Sequence, residues 1–449
     1  MFFKKRPTEK NLRVMGKEKI NIFWFRRDLR ADDNAGLFHA LNSGLPVLPV
    51  FIFDTDILRH LEAGDARVSF IYDRIAGLKR LFEENGSSLK ISYGQTIEVF
   101  EKIVSEHRVK AVFTNRDYEP AARERDRKVK EFLDKKGVRF YDFKDQVIFD
   151  CHDIVKEDGR PYTVFTPYSR KWKSVLTEAA LDEFPSQKML RNLMKTGWLP
   201  FPGLEEMGFQ KIKYEVRDFD ISEEKLRNYA RLRDFPAEAG TSRLSVHLRF
   251  GTVSIRKVTR QALLFSDIFL NELIWRNFYM DILWHFPKVE KHSFKPEYDR
   301  IVWRNDEDEF ERWRCGQTGY PLVDAGMREL NDSGYMHNRV RMVTASFLTK
   351  HLLVDWRWGE AYFAEKLMDY DLAANNGGWQ WAAGCGCDAV PYFRVFNPAL
   401  QSARFDPANE YVQKWVPEYQ TTKYSKPVVD HTFARNRAIT VYKSSLKPE

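Results

Sequence analysis

Cysteine is scarce in this sequence, and so are the arrangements in which cysteine does chemistry. The 449 residues include four cysteines, Cys151, Cys315, Cys385 and Cys387. Disulfide frameworks are dense and typical of small secreted chains, and the Cys385-x-Cys387 pair has no second pair or nearby histidine to complete a metal site. We therefore expect reduced cysteines, no bound metal and a cytoplasmic protein.

Long apolar runs are missing too. No stretch approaches the roughly 20 continuous apolar residues that cross a membrane, and the basic segment 1–19 lacks the apolar core of a signal peptide. We interpret residues 1–19 as a disordered tail, with Met1 or Met15 as the true start. We expect a monomer that does not associate with membranes.

A glycine-rich dinucleotide fingerprint is also absent after the first apolar run. Ile20–Phe25 is followed by Arg26-Arg27-Asp28-Leu29-Arg30, so the turn that seats a pyrophosphate on a helix N-terminus is missing there. A dinucleotide would have to bind elsewhere in the chain. The formal net charge of +8 permits a polyanionic partner without establishing one.

Apolar runs and amphipathic patterns alternate in the first third of the chain. This alternation is typical of a doubly wound parallel sheet with helices on both faces, and we assign it to residues 20–150. Residues 151–220, punctuated by proline and glycine, predict a long interdomain connector. The five predicted strands are Ile20–Phe25, Leu45–Phe53, Leu89–Tyr93, Val109–Thr114 and Val138–Phe143.

No strand pattern recurs in residues 221–449, which predicts an all-helical second domain. Nine of the 12 tryptophans lie after residue 270, an asymmetry that core filling does not explain. The clearest helical patterns are Ser254–Leu270, Glu272–His285, Tyr320–Asn331, Asn338–Leu353 and Trp358–Asp369.

Four segments of this helical region combine polar and aromatic side chains: Gly240–Ser245, Glu272–Tyr279, Met336–Met342 and Asp369–Trp381. The first three also have ordinary interpretations, as a helix cap, a surface ion pair and a solvated basic face. The fourth places two acids, two asparagines and two indoles within 13 residues. Because buried polar groups need partners, that density indicates a bound polar ligand.

Together these segments resemble the photolyase/cryptochrome family, and within it the class I cyclobutane pyrimidine dimer photolyases. The resemblance runs from about Ile20 to the C-terminus and implies an N-terminal antenna-type α/β domain and a helical domain that binds FAD and DNA. It rests on Trp24–Arg30, Thr318–Arg328, Asn338-Arg339-Val340-Arg341-Met342 with Phe347, Lys350 and Trp356, and the stretch from Asp371 to Pro398.

The resemblance implies which residues line the flavin. The hydroxyls of Thr241–Ser245 would face the pyrophosphate, Arg341 and Asp369 would pair beside the ring, and Asn375 would face flavin N5. The full set is Tyr229, Thr241, Ser242, Arg243, Leu244, Ser245, Glu272, Arg276, Tyr279, Asn338, Arg341, Asp369, Asp371 and Asn375.

The activity that the resemblance implies is light-driven repair of cyclobutane pyrimidine dimers in double-stranded DNA, by an electron from reduced FAD to a flipped-out dimer. Trp379, Trp356 and Trp303 match the family's photoreduction chain. Glu272 matches the acid that hydrogen-bonds the dimer. The other dimer- and DNA-contacting positions are Arg233, Trp275, Asn338, Arg339, Met342, Trp381 and Arg394.

Two related activities and one cofactor stay open. A (6-4) photolyase would carry histidines where this chain has Asn338 and Met342, and a plant-type cryptochrome photoreceptor would have Asp in place of Asn375. A second, antenna pigment would be a folate or a deazaflavin. Ala122 stands where folate-binding relatives carry an acid, which weighs against folate.

Overall fold

The computed structural model describes residues 18–446, so almost all of the predicted tail lies outside the described residues. The chain divides into two compact units. The sheet unit comprises the residues up to Arg116 together with Glu124–Phe143 and Phe184–Lys211. The helical unit comprises Asp117–Arg123, Lys144–Glu183 and the residues from Ile212 onward.

Five parallel strands form the core of the sheet unit, in the order β3-β2-β1-β4-β5. Every residue of β2 is buried, as expected for a strand covered on both faces. The connections reverse direction between β1 and β4, which confirms the predicted doubly wound sheet. The strands are β1 Lys19–Phe25, β2 Val47–Asp54, β3 Lys90–Gly94, β4 Arg108–Asn115 and β5 Arg139–Phe143; the intervening helices are α1 Ala35–Leu41, α2 Thr55–Leu58, α3 Ala66–Glu84, α4 Thr96–Glu106 and α5 Pro120–Lys135.

The segment predicted as a connector, 151–220, is divided between the two units. Residues 184–211 pack onto the sheet unit, where buried Leu193 bridges to Val47 and the N–H of Met194 donates to the Val47 carbonyl at 2.8 Å. The remaining residues belong to the helical unit, and Tyr168 and Trp172 are buried in its core.

Apart from an isolated bridge between Val155 and Pro161, the regular elements described in residues 144–183 and 212–446 are all helical. None of the described helices is long and apolar enough to cross a membrane. The α-helices are α6 Phe165–Val175, α7 Glu223–Leu232, α8 Ser245–Arg249, α9 Ile255–Phe265, α10 Asp267–His285, α11 Glu307–Arg314, α12 Pro321–Ser333, α13 Asn338–Ser346, α14 Trp356–Lys366, α15 Leu372–Ala383, α16 Pro398–Phe405, α17 Glu410–Trp415 and α18 His431–Ser445.

Two predicted helices are interrupted in the structure. The predicted helix 254–270 breaks at Ser266, whose extended backbone (φ −160°, ψ 102°) ends α9 and whose side chain accepts from the N–H of Phe269 to cap α10. The predicted helix 338–353 leaves α geometry after Ser346, passes through a π-helical turn over Phe347–Leu352 and stops at Leu353, which has a φ of 52°.

Candidate functional site

The loop before α8 forms a backbone concavity suited to an anion. Arg243 has a left-handed φ of 56°, and Leu244 follows in right-handed geometry (φ −80°, ψ −18°). Successive residues of opposite hand turn their N–H groups to one side, an arrangement that binds phosphates. Gly240 is required here, because a Cβ would lie 2.4 Å from the carbonyl oxygen of Leu232.

A cavity of about 460 Å³ borders this loop. Its lining includes Thr241, Ser242 and Arg243, together with the cations Lys225 and Lys414. The guanidinium of Arg243 lies 3.9 Å from the ring centre of Tyr335. Five carboxylates also line the cavity, those of Asp218, Asp220, Glu238, Glu329 and Glu410. The groups in it that suit a pyrophosphate are the hydroxyls, the turned N–H groups and the cations.

Arg341 and Asp369 form an ion pair in the helical unit. Nη2 of Arg341 donates to the two oxygens of Asp369 at 2.8 and 3.1 Å, and its Nε donates to the Met336 carbonyl at 2.7 Å. Burial acts to lower the pKa of Arg341, but the neighbouring Asp369 outweighs it and the pKa is raised. Arg341 is therefore charged, and its ion pair with Asp369 presents a fixed dipole to a ligand.

Asn375 is held by a neighbour that the sequence analysis missed. Its amide group donates to the side chain of Glu360 at 2.8 Å and to the Glu360 carbonyl at 3.1 Å. Burial raises the pKa of Glu360, and the bond from Asn375 opposes that rise. Because the N–H groups of Asn375 are engaged, its side-chain oxygen is the atom left to accept from a ligand.

Close packing brings α10 and α15 together beside Asn375. A Cβ on Gly377 would lie 2.3 Å from the ring of Tyr279, so glycine lets the tyrosine ring lie directly on α15. Tyr279 and Trp381 line one small cavity. Asp371 caps the N-terminus of α15 by accepting from Ala374, and Arg249 lies 3.7 Å from its carboxylate.

Two of the three predicted relay tryptophans are buried. Trp379 and Trp356 are 2% and 1% exposed, and neither indole N–H has a hydrogen-bond partner within the described part of the chain. The Trp379 ring packs directly on Gly359, since a Cβ at that position would lie 2.1 Å from the ring. The ring also meets Trp313 edge-on, with 6.0 Å between the ring centres. Trp303 is only partly buried and contacts Tyr442 at 5.9 Å.

The face of α10 predicted to wall the substrate pocket is ordered by ring stacking. Trp275 stacks on Phe165 at 3.7 Å with an interplanar angle of 6°, and it contacts Tyr279 at 5.4 Å. Glu272, one turn earlier, forms an ion pair with Arg233. Asn338 is exposed, and its amide nitrogen lies 4.0 Å from the sulfur of Met342.

Two of the arginines predicted to contact phosphate, Arg339 and Arg394, differ in their exposure and in their partners. Arg339 pairs with Asp234 at 2.8 Å and covers the ring of Phe405 at 4.3 Å. Arg394 is exposed in the loop after α15. Arg394 is therefore open to a duplex, whereas the side chain of Arg339 is 17% exposed and already engaged by Asp234 and Phe405.

Three other predicted flavin residues have structural partners in the helical unit. The guanidinium of Arg276 donates to the Gln146 carbonyl at 2.5 Å, so it fixes the main chain as well as a face of α10. Tyr229 packs edge-on against Phe269, and Ser242 accepts from the N–H of Asp220 at 2.9 Å. No spacing in the sequence relates Glu360 to Asn375 or Asp234 to Arg339, so only the fold reveals those partners.

Comparisons with known proteins cover both units. A profile described as DNA photolyase matches residues 21–188, and one described as the FAD binding domain of DNA photolyase matches residues 269–423. The deoxyribodipyrimidine photo-lyase of Halobacterium salinarum is 37% identical over 94% of this chain and 98% of its own length. The chain belongs to the photolyase/cryptochrome family. The resemblance, the fold class and FAD as cofactor are confirmed.

Two solved photolyase structures extend the comparison. A class III photolyase from Agrobacterium tumefaciens has a TM-score of 0.85 at 32% identity, covering 97% of this chain and 100% of its own. An archaeal photolyase from Sulfolobus tokodaii, solved with two FAD molecules, has a TM-score of 0.79 at 33% identity, covering 95% of this chain and 100% of its own. Because a class III enzyme is so similar, membership of class I stays a prediction.

Proposed function

We propose that this photolyase-family protein repairs cyclobutane pyrimidine dimers in double-stranded DNA by light-driven electron transfer to a flipped-out dimer. The observation that carries the proposal is the polar surface of α10 and α15. Asn375 offers an oxygen to a cofactor, and Glu272 offers a carboxylate to a substrate. The name of the Halobacterium salinarum relative supports the same activity.

FAD fits the residues of the helical unit. We assign the Gly240–Leu244 concavity to its pyrophosphate, and Arg341, Asp369 and Asn375 to its ring system. When bound and reduced, FAD supplies the excited-state electron for the dimer. The protein's part is to hold the ring, with Asn375 accepting from a protonated ring nitrogen and the Arg341–Asp369 dipole beside it.

We assign Trp379, Trp356 and Trp303 to an electron relay that reaches the surface. An oxidised indole loses its proton readily when an acceptor is bound to its N–H. Trp379 and Trp356 have no such acceptor among residues 18–446. Each oxidised indole can therefore keep its proton and be reduced by the next tryptophan of the relay. Trp303, being partly exposed, can be re-reduced from solvent.

The substrate residues are assigned to dimer and backbone. Glu272 accepts from a dimer N–H; Trp275, Trp381, Met342 and Asn338 form the walls; Arg233, Arg339 and Arg394 contact phosphates. Extruding a damaged pair costs a few kcal/mol, less than an intact one, and stacking on indoles returns roughly 1–3 kcal/mol per base. Phosphate contacts make binding salt-dependent without reading sequence.

A repair assay tests the proposal. The chemically reduced protein is given thymine-dimer DNA and, separately, (6-4) photoproduct DNA, under blue light and in the dark. We expect light-dependent repair of the dimer alone, because Asn338 and Met342 cannot donate a proton as histidines would. Repair of the (6-4) product would refute the substrate assignment. No repair with FAD bound and reduced would favour a photoreceptor of the cryptochrome type.

A second pigment remains a separate proposal. We propose that any antenna pigment is a deazaflavin or flavin and not a folate, because Ala122 provides no acid. The absorption spectrum of the protein purified with its native pigment tests this. A strong near-ultraviolet band would indicate folate, and a band at the violet–blue border a deazaflavin.

A further inference from the structure

Arg233 and Glu272 join two helices of the helical unit. Arg233 is the residue that caps the C-terminus of α7, and Glu272 lies in the second turn of α10. Nη1 of Arg233 contacts Oε1 of Glu272, with 27% of the arginine and 34% of the glutamate side chain exposed. Arg233 is the only hydrogen-bond partner recorded for this carboxylate within residues 18–446, so Oε2 can accept from a ligand.

Arg233 carries its charge in the folded protein. Burial acts to lower the pKa of Arg233, but Glu272 and Tyr229 outweigh it and the pKa is raised. An ionised glutamate is an acceptor only, and the group it would meet on a pyrimidine dimer is a ring N–H.

Arg339, the other predicted phosphate-contacting arginine that forms an ion pair, has different partners. Its guanidinium pairs with Asp234 at 2.8 Å and lies 4.3 Å from the ring centre of Phe405. Neither partner is a residue assigned to the dimer. Both arginines lie near Asp234, at 4.0 Å for Arg233 and 2.8 Å for Arg339, but of these two only Arg233 contacts Glu272.

We propose that Arg233 is a positioning residue for Glu272, in addition to contacting the DNA backbone. The inference rests on the proposed function. A glutamate on a helix surface samples several rotamers, and ordering it when the dimer enters costs free energy. The ion pair with Arg233 orders the Glu272 side chain before the dimer binds and leaves Oε2 available to it. The binding group is therefore preorganised.

A substrate without phosphates separates the two roles of Arg233. The thymine dimer of free bases has nothing for a phosphate-binding arginine to contact, so only positioning of Glu272 is measured. We expect Arg233→Gln to lower the apparent affinity for the bare dimer about tenfold, as loss of a charge-assisted hydrogen bond implies. Arg233→Lys keeps the charge and should retain part of the affinity that Arg233→Gln loses. Arg227→Gln, the matched control, breaks an exposed ion pair with Glu223 on α7 and should bind the bare dimer like wild type.

A double-mutant cycle completes the test. Once Glu272→Gln has removed the carboxylate, adding Arg233→Gln should cost nothing further on the bare dimer. Additive losses, or an Arg233→Gln protein that matches wild type on the bare dimer, would overturn the inference. Flavin content is measured in each variant, so that a folding defect is recognised. Wild-type protein that repairs neither substrate would instead refute the proposed function.

Discussion

The two units each contain a cluster of buried polar groups, and the clusters differ in how completely their members bond to one another. In the sheet unit, Asn115 donates to Asp28 at 2.6 Å and to Asn34 at 2.8 Å, and accepts from the N–H of Gly36 at 2.8 Å. In the helical unit, Asn375 bonds through its donors only, and the buried indoles of Trp356 and Trp379 bond to nothing in residues 18–446.

The difference separates a structural cluster from a functional one. Asn115, Asp28 and Asn34 lie where the sheet connections reverse, the usual ligand crevice of such folds, yet they use their hydrogen-bonding capacity to fix the chain after β1 and before α1. In the helical unit the unused capacity of Asn375 and Glu272 is available to cofactor and substrate. Each prediction below perturbs one member of this comparison.

The largest expected effect is loss of photoreduction in Trp379→Phe. Phenylalanine fills most of the space against Gly359 but is far harder to oxidise, so the first step of the relay is removed. Bleaching of the oxidised flavin absorbance under blue light should be nearly abolished. Repair by chemically pre-reduced protein should persist. Trp358→Phe, at a partly buried tryptophan of α14 outside the predicted relay, is the control; loss of repair in pre-reduced Trp379→Phe would give Trp379 a different role.

The next largest effect is expected from Asp369→Ala. This change leaves Arg341 charged and unpaired beside the cofactor site, and removing one partner of a buried ion pair costs about 3–5 kcal/mol. We expect the protein to lose bound FAD and to melt at lower temperature, measured by flavin fluorescence on heating. Asp332→Ala, at an exposed carboxylate, should do neither. If the variant kept its FAD and melted at the same temperature as wild type, the Arg341–Asp369 pair would not be part of the flavin site.

The sequence predicted the sheet unit and the helical unit to different extents. Apolar runs located all five strands. β1, β2 and β4 are almost wholly buried, so their apolar runs are continuous in sequence, whereas the edge strands β3 and β5 are partly exposed and their runs are short. The residues of the helical unit that were predicted by resemblance share helix faces or adjacent loops. Glu360, Asp234 and Tyr335 were missed because their partners lie on distant helices or loops of the chain, and tertiary packing is not encoded in local spacing. The break at Ser266 was missed because apolar residues continue through it on both sides.

A moderate effect is expected from Asn115→Ala in the sheet unit. The change leaves the Gly36 N–H without its acceptor, at about 1–3 kcal/mol for a buried unsatisfied group, and removes one of the donors to Asp28 and to Asn34. Thermal stability should fall, while flavin content and repair yield per photon below the melting temperature should not change. Ser105→Ala, which removes an exposed local hydrogen bond, is the control. A fall in repair yield per photon would make this cluster functional.

The smallest effect at neutral pH is expected from His337→Asn, and it grows in acid. His337 is buried and caps α13, the helix carrying Asn338, Arg339 and Arg341, by accepting from the N–H of Arg339 at 3.2 Å. Burial, with Arg243, Arg339 and Arg341 nearby and Asp234 opposing them, lowers its pKa from 6.5 to about 4. The unfolded chain therefore binds the proton first, and stability is lost as the pH falls from 6.5 towards 4, by roughly 2 kcal/mol at pH 5.

Asparagine also caps helices but does not titrate, so His337→Asn should melt like wild type at pH 8 and be the more stable protein at pH 5. His351, whose pKa burial lowers to about 3, remains in both proteins as the internal reference. Equal acid sensitivity of the variant and wild type would show that His337 is not the group that makes this helix sensitive to acid.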